Sequence, residues 1–445
     1  MRRTLQHPAR IVPFAFLCAI ALGTVVLMLP VSRAGSESPS FLAAFFTATS
    51  AICTTGLASV DTATYWSGFG HVMITVFTQV GGYGIMTMAT LLGLLVSRRL
   101  GLRSRLVARA ETSTSLALGE IRDVLLRAAV IMFTCEVVIT AIVGIRLWSA
   151  YDVPVGEALW EGFFTAVQSF NNSGFGLRSD GMLRFVADWW ICVPLTLGVI
   201  VGGLGVPVLT ELTRELRRPA DWSTHTRLTV WGSLVLLATG FLVVLGFEWS
   251  NPGTLGPLGV TEKVLAAFVQ GTIPRSGGFN TVDYAHLNSE TLAVTTGLMF
   301  VGGGSASTAG GIKVTTFFLL AYVIWTEVRG ERDVTVGRRR IAENTQRQAT
   351  TVALLGVALV FGSTLLLIAL TSGVPFDRAL FEAASAFGNA GLSTGLTPTL
   401  SGPGQLVVIA LMFIGRVGTI AVASALALNS RPRLYRYPEE RPIVG

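Results

Sequence analysis

The sequence predicts an all-α polytopic membrane protein, with eight transmembrane helices and four pore helices arranged as four span–pore-loop–span repeats around a pseudo-fourfold pore. Three observations predict it. Hydrophobic residues make up 51% of the chain and charged residues only 13%, whereas a soluble domain carries about 25% charge. Eight stretches reach the ~20 mostly apolar residues that a helical span needs. Four glycine-centred segments recur: Thr54-Thr55-Gly56-Leu57, Asn172-Ser173-Gly174-Phe175, Gly277-Gly278-Phe279 and Ala390-Gly391-Leu392. Their glycines lie 118, 104 and 113 residues apart, and each has a Phe ten residues upstream: Phe46, Phe164, Phe268 and Phe381.

In chain order, repeat one takes residues 1–110. Its spans are expected at about 11–31 and 66–97, with a short amphipathic segment at about 40–52 before the first glycine turn. Arg2 and Arg3 before an apolar run also fit a secretory signal. The run lacks a small-x-small cleavage site before Ser36 and fills the first-span slot of the other repeats, so it is read as a retained span. Repeat two takes 111–222, with spans at about 124–147 and 186–210. Repeat three takes 223–340, with spans at about 228–249 and 291–326, and repeat four takes 341–445, with spans at about 349–372 and 405–428. Together they form one pore domain.

Orientation follows from the basic residues. Segments 1–10, 97–127, 211–227, 313–347 and 416–445 hold 26 of the 33 Lys and Arg. This pattern places both termini in the cytoplasm and makes the +7 net charge topogenic. The basic residues are dispersed among loops, which argues against nucleic acid as a partner. The four cysteines lie in apolar or pore-loop context without metal-ligand spacing and are read as buried free thiols.

The short segments before the glycines are too brief to cross a bilayer. Irregular backbone at membrane depth is tolerated only where protein buries it or water lines it. Four half-helices ending at one axis would aim their carbonyl poles at a cation, and the following carbonyl oxygens would replace its water shell. Ordinary loop turns are the competing reading. The run Val80-Gly81-Gly82-Tyr83-Gly84 resembles the filter of tetrameric channels, but it lies well inside a predicted span. With Val201 to Gly205, Val301 to Gly304 and Ile414 to Gly418, it is read as mid-helix glycines for close helix approach.

Two of these segments carry more information. Gly302-Gly303-Gly304-Ser305-Ala306-Ser307-Thr308-Ala309-Gly310-Gly311 has five glycines in ten residues, too many for a continuous helix. It is read as a gate below the filter, or else as a passive kink. Arg416 stands where the other segments have glycine. A charge at that depth is costly, so it is expected to face the cavity and bond the loop carbonyls, limiting leak, unless it is a structural anchor. Arg275 is expected to brace the third turn or to offset its carbonyl field. Asp61, Asp180 and Asp283 follow the first three turns as cation-concentrating or merely solvated acids, and Glu136 is read as a hydrogen-bonded acid in an apolar helix.

On these four repeats, the broken third-repeat span and Arg416, the chain resembles the Trk/Ktr/HKT superfamily of potassium transporters, and within it the membrane subunits of bacterial Ktr uptake systems. The resemblance covers nearly the whole chain, which begins directly with the first repeat. It implies a selectivity filter for potassium at Thr54, Thr55 and Gly56; Asn172, Ser173 and Gly174; Ser276, Gly277 and Gly278; and Asn389, Ala390 and Gly391. Gly56 fits the potassium-selective pattern. The resemblance also implies an intramembrane gating loop at Gly302 to Gly311 with Arg416. It further implies a homodimer, a KtrA-like cytosolic ring binding ATP or ADP, sodium activation, and residence among the lipids of the bacterial cytoplasmic membrane. The chain has no Rossmann fingerprint, so no nucleotide or other cofactor is expected on it. The expected activity is channel-like potassium uptake driven by membrane potential. The alternative is a sodium- or proton-coupled cation symporter, although midplane acids are scarce. No paired Asp, Ser–Lys or HExxH arrangement supports an enzyme.

Overall fold

The computed structural model describes residues 8–105, 114–331, 333–337 and 339–418. They form α1 (Pro8–Leu27), α2 (Phe41–Ile52), the single turn α3 (Thr62–Tyr65), α4 (Gly68–Arg105), α5 (Thr114–Tyr151), α6 (Val155–Phe170), α7 (Trp189–Leu204) and α8 (Val206–Glu215). Then follow α9 (Thr224–Glu248), α10 (Val260–Thr272), α11 (Ser289–Phe300), α12 (Val314–Val328), α13 (Glu343–Leu370), α14 (Phe376–Gly388) and α15 (Gly402–Phe413). A small hairpin, β1 (Thr335–Val336) with β2 (Arg339–Arg340), precedes α13.

The short helices start where their sequences supply caps. Ser40 Oγ accepts the Ala43 amide at 3.3 Å to start α2. Glu262 Oε2 accepts the Gly259 amide at 2.9 Å at the start of α10. Pro154 and Pro375 precede α6 and α14. Small residues then let backbones approach. A Cβ on Gly162 of α6 would press on the Thr140 carbonyl of α5 at 2.9 Å, and one on Gly240 of α9 would overlap the Gly271 carbonyl of α10.

Each of α2, α6, α10 and α14 packs beside the helix preceding it: α1, α5, α9 and α13. Each also touches a helix from another part of the chain, in the pairs α2 with α15, α6 with α4, α10 with α7, and α14 with α11. These contacts close into a ring. The outside of that ring is apolar. In the helical stretches Leu125–Tyr151, Thr224–Glu248 and Glu343–Leu370, the most apolar windows are only 22–33% buried. Water would not tolerate so much exposed apolar surface, whereas lipid does.

Three expectations are corrected or limited. The second span of repeat two does not run through. α7 and α8 meet at 102°, because Gly205 adopts φ 90°, Pro207 brings no amide, and the Val206 amide turns to the Ala306 carbonyl at 3.3 Å. The last span runs as α-helix only to Phe413. It then widens into a π-turn at Ile414–Gly418, and its expected continuation to 428 lies outside the described residues. So do the basic terminal segments 1–7 and 419–445. Cys18 is exposed on α1 and Cys135 only half-buried, rather than buried, and the four cysteines are free.

Candidate functional site

The helices α2, α6 and α14 end in the same way, and the sequence explains how. Thr54, Asn172 and Asn389 take left-handed φ values of 49°, 56° and 48°. Their amides reach back to the carbonyls of Ala51, Ser169 and Ala386 at 3.0, 3.1 and 3.3 Å. The next amides, of Thr55, Ser173 and Ala390, reach the carbonyls of Ser50, Gln168 and Ser385 at 2.7–2.9 Å. This is the two-bond left-handed cap that commonly ends helices, and Asn tolerates it well. The third turn varies: Ser276 has φ 79°, and the Gly277 amide bonds the Ile273 carbonyl at 2.8 Å. Two residues after each left-handed residue, Gly56, Gly174, Gly278 and Gly391 have φ 88°, 94°, 70° and 77°. A side chain would be strained there.

These four glycines meet. A Cβ on Gly56 would overlap the Ser173 carbonyl oxygen, and one on Gly174 would overlap Gly278. A Cβ on Gly391 would overlap the Thr55 carbonyl oxygen and lie 2.9 Å from both Gly278 Cα and the Ser173 oxygen. The structure thus brings all four sequence-predicted turns to one point, with the carbonyl oxygens of Thr55 and Ser173 against the neighbouring glycines. Side chains stitch them together. Asn389 Nδ2 donates to Thr55 Oγ1 at 2.7 Å and to the Met412 carbonyl at 3.0 Å, and Ser276 Oγ donates to the Asn389 carbonyl at 2.6 Å.

The residues Gly302 to Gly311 are non-helical, as expected, and run between α11 and α12. A parallel bridge joins Val301 to Ile312 at the neck. The loop touches every turn. Thr54 Oγ1 donates to the Thr308 carbonyl at 3.4 Å, Thr308 Oγ1 to the Phe170 carbonyl at 3.2 Å, and the Gly310 amide to Ser276 Oγ at 3.2 Å. A Cβ on Gly310 would overlap Asn389 Oδ1. Three basic side chains hold its carbonyls. Arg416 Nη1 donates to Thr308 O, Lys313 Nζ to Ala309 O at 2.6 Å, and Arg275 Nη2 to Gly302 O at 3.3 Å and Ser233 Oγ at 3.1 Å. Arg416 is 2% exposed, and its Nε and Nη2 have no partner.

The glycine run Val80 to Gly84 lies inside α4 and packs against the ends of α2 and α6 rather than forming a turn. Its Gly81 packs on the Ile52 carbonyl, Gly202 on that of Phe170 and Gly415 on that of Phe387, so these glycines serve close approach. Asp61 and Asp283 cap local turns by accepting the Ala63 and Ala285 amides at 3.0 and 2.9 Å. Glu136 is hydrogen-bonded: it accepts from Gln79 Nε2 at 3.0 Å and Asn171 Nδ2 at 3.3 Å. Sequence reasoning missed Lys313, the paired left-handed residues and the π-turn around Arg416. Asn two places before Gly174 and Gly391 was the readable signal for the second of these.

A family model described as "TrkH: Cation transport protein" matches residues 3–432. The chain is 35% identical to the Ktr system potassium uptake protein B of Bacillus subtilis, over 98% of this chain and 97% of that protein. It is 34% identical to the protein of the same description from Vibrio alginolyticus, over 98% and 94%. It is 31% identical to the potassium/sodium uptake protein NtpJ of Enterococcus hirae, over 100% and 98%. The fold is similar to the crystal structure of the potassium transporter TrkH from Vibrio parahaemolyticus, with a TM-score of 0.71 at 18% identity, covering 95% of this chain and 84% of that one.

Proposed function

The chain belongs to the TrkH family of cation transport proteins, and from that premise we propose that it is the translocating subunit of a Ktr-type potassium uptake system. It is a multi-pass membrane transporter, not an enzyme. One observation carries the reading: four turns, each pairing a left-handed residue with a positive-φ glycine, meet at a single point. We assign the selectivity filter to these turns. Their carbonyls replace water around potassium, and the helix ends behind them add negative potential. The four repeats, with boundaries near 110, 222 and 340, surround that axis as one pore domain. An inside-negative potential supplies about 2.3 kcal/mol per charge per 100 mV, enough for accumulation without coupling to another gradient.

The loop 302–311 is the gate in this proposal. It lies against the turns, and three basic side chains hold its carbonyls. Opening requires it to leave Arg416. Orientation with both termini cytoplasmic, a homodimer, a nucleotide-binding cytosolic ring and sodium activation complete the proposal. The names of the Ktr relatives support a multi-component system, and that of NtpJ supports sodium as a second ion. The test is rubidium uptake into vesicles holding the purified full chain under an imposed potential. Voltage-driven uptake competed by potassium is expected. Uptake that ignores voltage and follows a proton or sodium gradient refutes the channel-like reading in favour of a symporter.

A further inference from the structure

The end of α7 and the loop 302–311 are joined main chain to main chain. The Gly304 amide donates to the Gly203 carbonyl at 2.8 Å, the Thr308 amide to the Gly202 carbonyl at 3.2 Å, and the Val206 amide to the Ala306 carbonyl at 3.3 Å. An α-helix bonds each amide to the carbonyl four residues back. Unbroken, this helix would pair the Val206 amide with the Gly202 carbonyl, and the Gly203 carbonyl would face Pro207, which has no amide. The bend at Gly205 thus parts two helical partners, and both turn to the loop instead.

Both sides of this joint take backbone conformations that most residues avoid. Gly205 has φ 90° and ψ 151°, a region essentially closed to residues with a side chain. A Cβ there would lie 2.5 Å from the Ser305 carbonyl oxygen. Across the joint, Ala306 has φ 58°, in the left-handed region that alanine rarely enters. Such strain persists only where the surroundings impose it, and it gathers at switches. A second, less strained arrangement is at hand. With the loop withdrawn, the Val206 amide and the Gly202 carbonyl can pair with each other, so neither is left unbonded.

We propose that the α7–α8 joint is the seat of the gate. Gly202, Gly203 and Val206 are positioning residues that hold the loop in its closed place through their main-chain groups. The loop leaves as the bend at Gly205 relaxes towards a helix, kinked at Pro207, and the Val206 amide returns to the Gly202 carbonyl. The second repeat therefore takes part in gating beside the third repeat and Arg416. This inference rests on the reading of residues 302–311 as the gate.

The test measures voltage-driven rubidium uptake by the full chain and its variants in vesicles without any soluble partner, reading maximal rate, half-saturation and competition by sodium. Gly205→Ala disfavours the bent joint and favours the helical one. It should raise the maximal rate about tenfold, with half-saturation and ion preference at parental values because the turns are untouched. Ala306→Gly removes the left-handed strain from the seated loop and should lower the rate about threefold. A folded Gly205→Ala protein at or below the parental rate overturns the proposal. So does one whose half-saturation moves while its maximal rate does not. Should Gly205→Ala not assemble, Ala306→Gly decides: a lower rate at parental half-saturation supports the proposal, and an equal or higher rate overturns it. Deleting Ser305 to Ala309 separates this inference from the reading beneath it. Flat flux after the deletion refutes the loop as the gate, whereas raised flux beside an indifferent Gly205→Ala refutes only the seat.

Discussion

Replacing Arg416 with Gln should leave the protein as stable as before while opening a leak. The guanidinium is buried and makes one hydrogen bond, to the Thr308 carbonyl, while Nε and Nη2 have no partner. A hydrogen bond to a charged donor contributes about 1.5–3 kcal/mol. Placing an arginine at mid-membrane costs about 2.5–3.5 kcal/mol on the insertion scale. The two nearly cancel, so removing the charge should change unfolding free energy by no more than about 2 kcal/mol. Conduction is a different matter. If that unit charge lies ~8 Å from a passing monovalent cation, then at an effective dielectric near 20 it opposes the cation by about 2 kcal/mol, which is about 30-fold in rate. Basal rubidium flux through vesicles without any soluble partner, measured beside a thermal melt in the same detergent, checks both halves. Arg416→Lys, which keeps the charge, should stay close to the parent. The reasoning fails if Arg416→Gln melts like the parent and leaks no more than it does. It fails also if the variant loses more than about 3 kcal/mol of stability, for then the residue is an anchor.

Three further outcomes are expected. Gly56→Ser puts a side chain where the Ser173 carbonyl lies and at φ 88°. That backbone strain alone costs about 1–2 kcal/mol, so sodium should compete about tenfold better with rubidium, as competition assays would show. Deleting Ser305 to Ala309 removes the Thr308 carbonyl that Thr54 and Arg416 both bond. Basal flux should rise several-fold, and flat flux would remove the loop from the gating role. Glu136→Leu removes the carboxylate acceptor of both the Gln79 and Asn171 amides, leaving Gln79 Nε2 only the Met132 sulfur. It should lower stability by about 1–3 kcal/mol, read as an earlier melt with ion preference retained.

The positions of the turns were legible in the sequence because each turn needs glycine at one place, and glycine repeated at even intervals is visible without a structure. The left-handed residue before each glycine was harder to see. Asn172 and Asn389 advertise it, but Thr54 and Ser276 reach the same geometry with residues that rarely adopt it, held there by neighbours far away in the chain. The break of the third-repeat span could be read from its five glycines. The break at Gly205 could not, because a lone glycine in an apolar run looks like any close-packing glycine. Its bend depends on Ala306, a hundred residues on, offering a carbonyl to the Val206 amide. Lys313 was hidden for a related reason: a basic residue at a helix start reads as topogenic until the Ala309 carbonyl is seen beside it.

One oxygen ties two of these parts together. The Thr308 carbonyl receives both the Thr54 hydroxyl, from the lip of the first turn, and the Arg416 guanidinium, from the π-turn. In the proposed gating movement the loop swings away, and the arginine and the threonine lose their shared acceptor together. Barrier height and ion discrimination therefore change in step, and a mutant selected for faster passage should turn out less choosy about what passes.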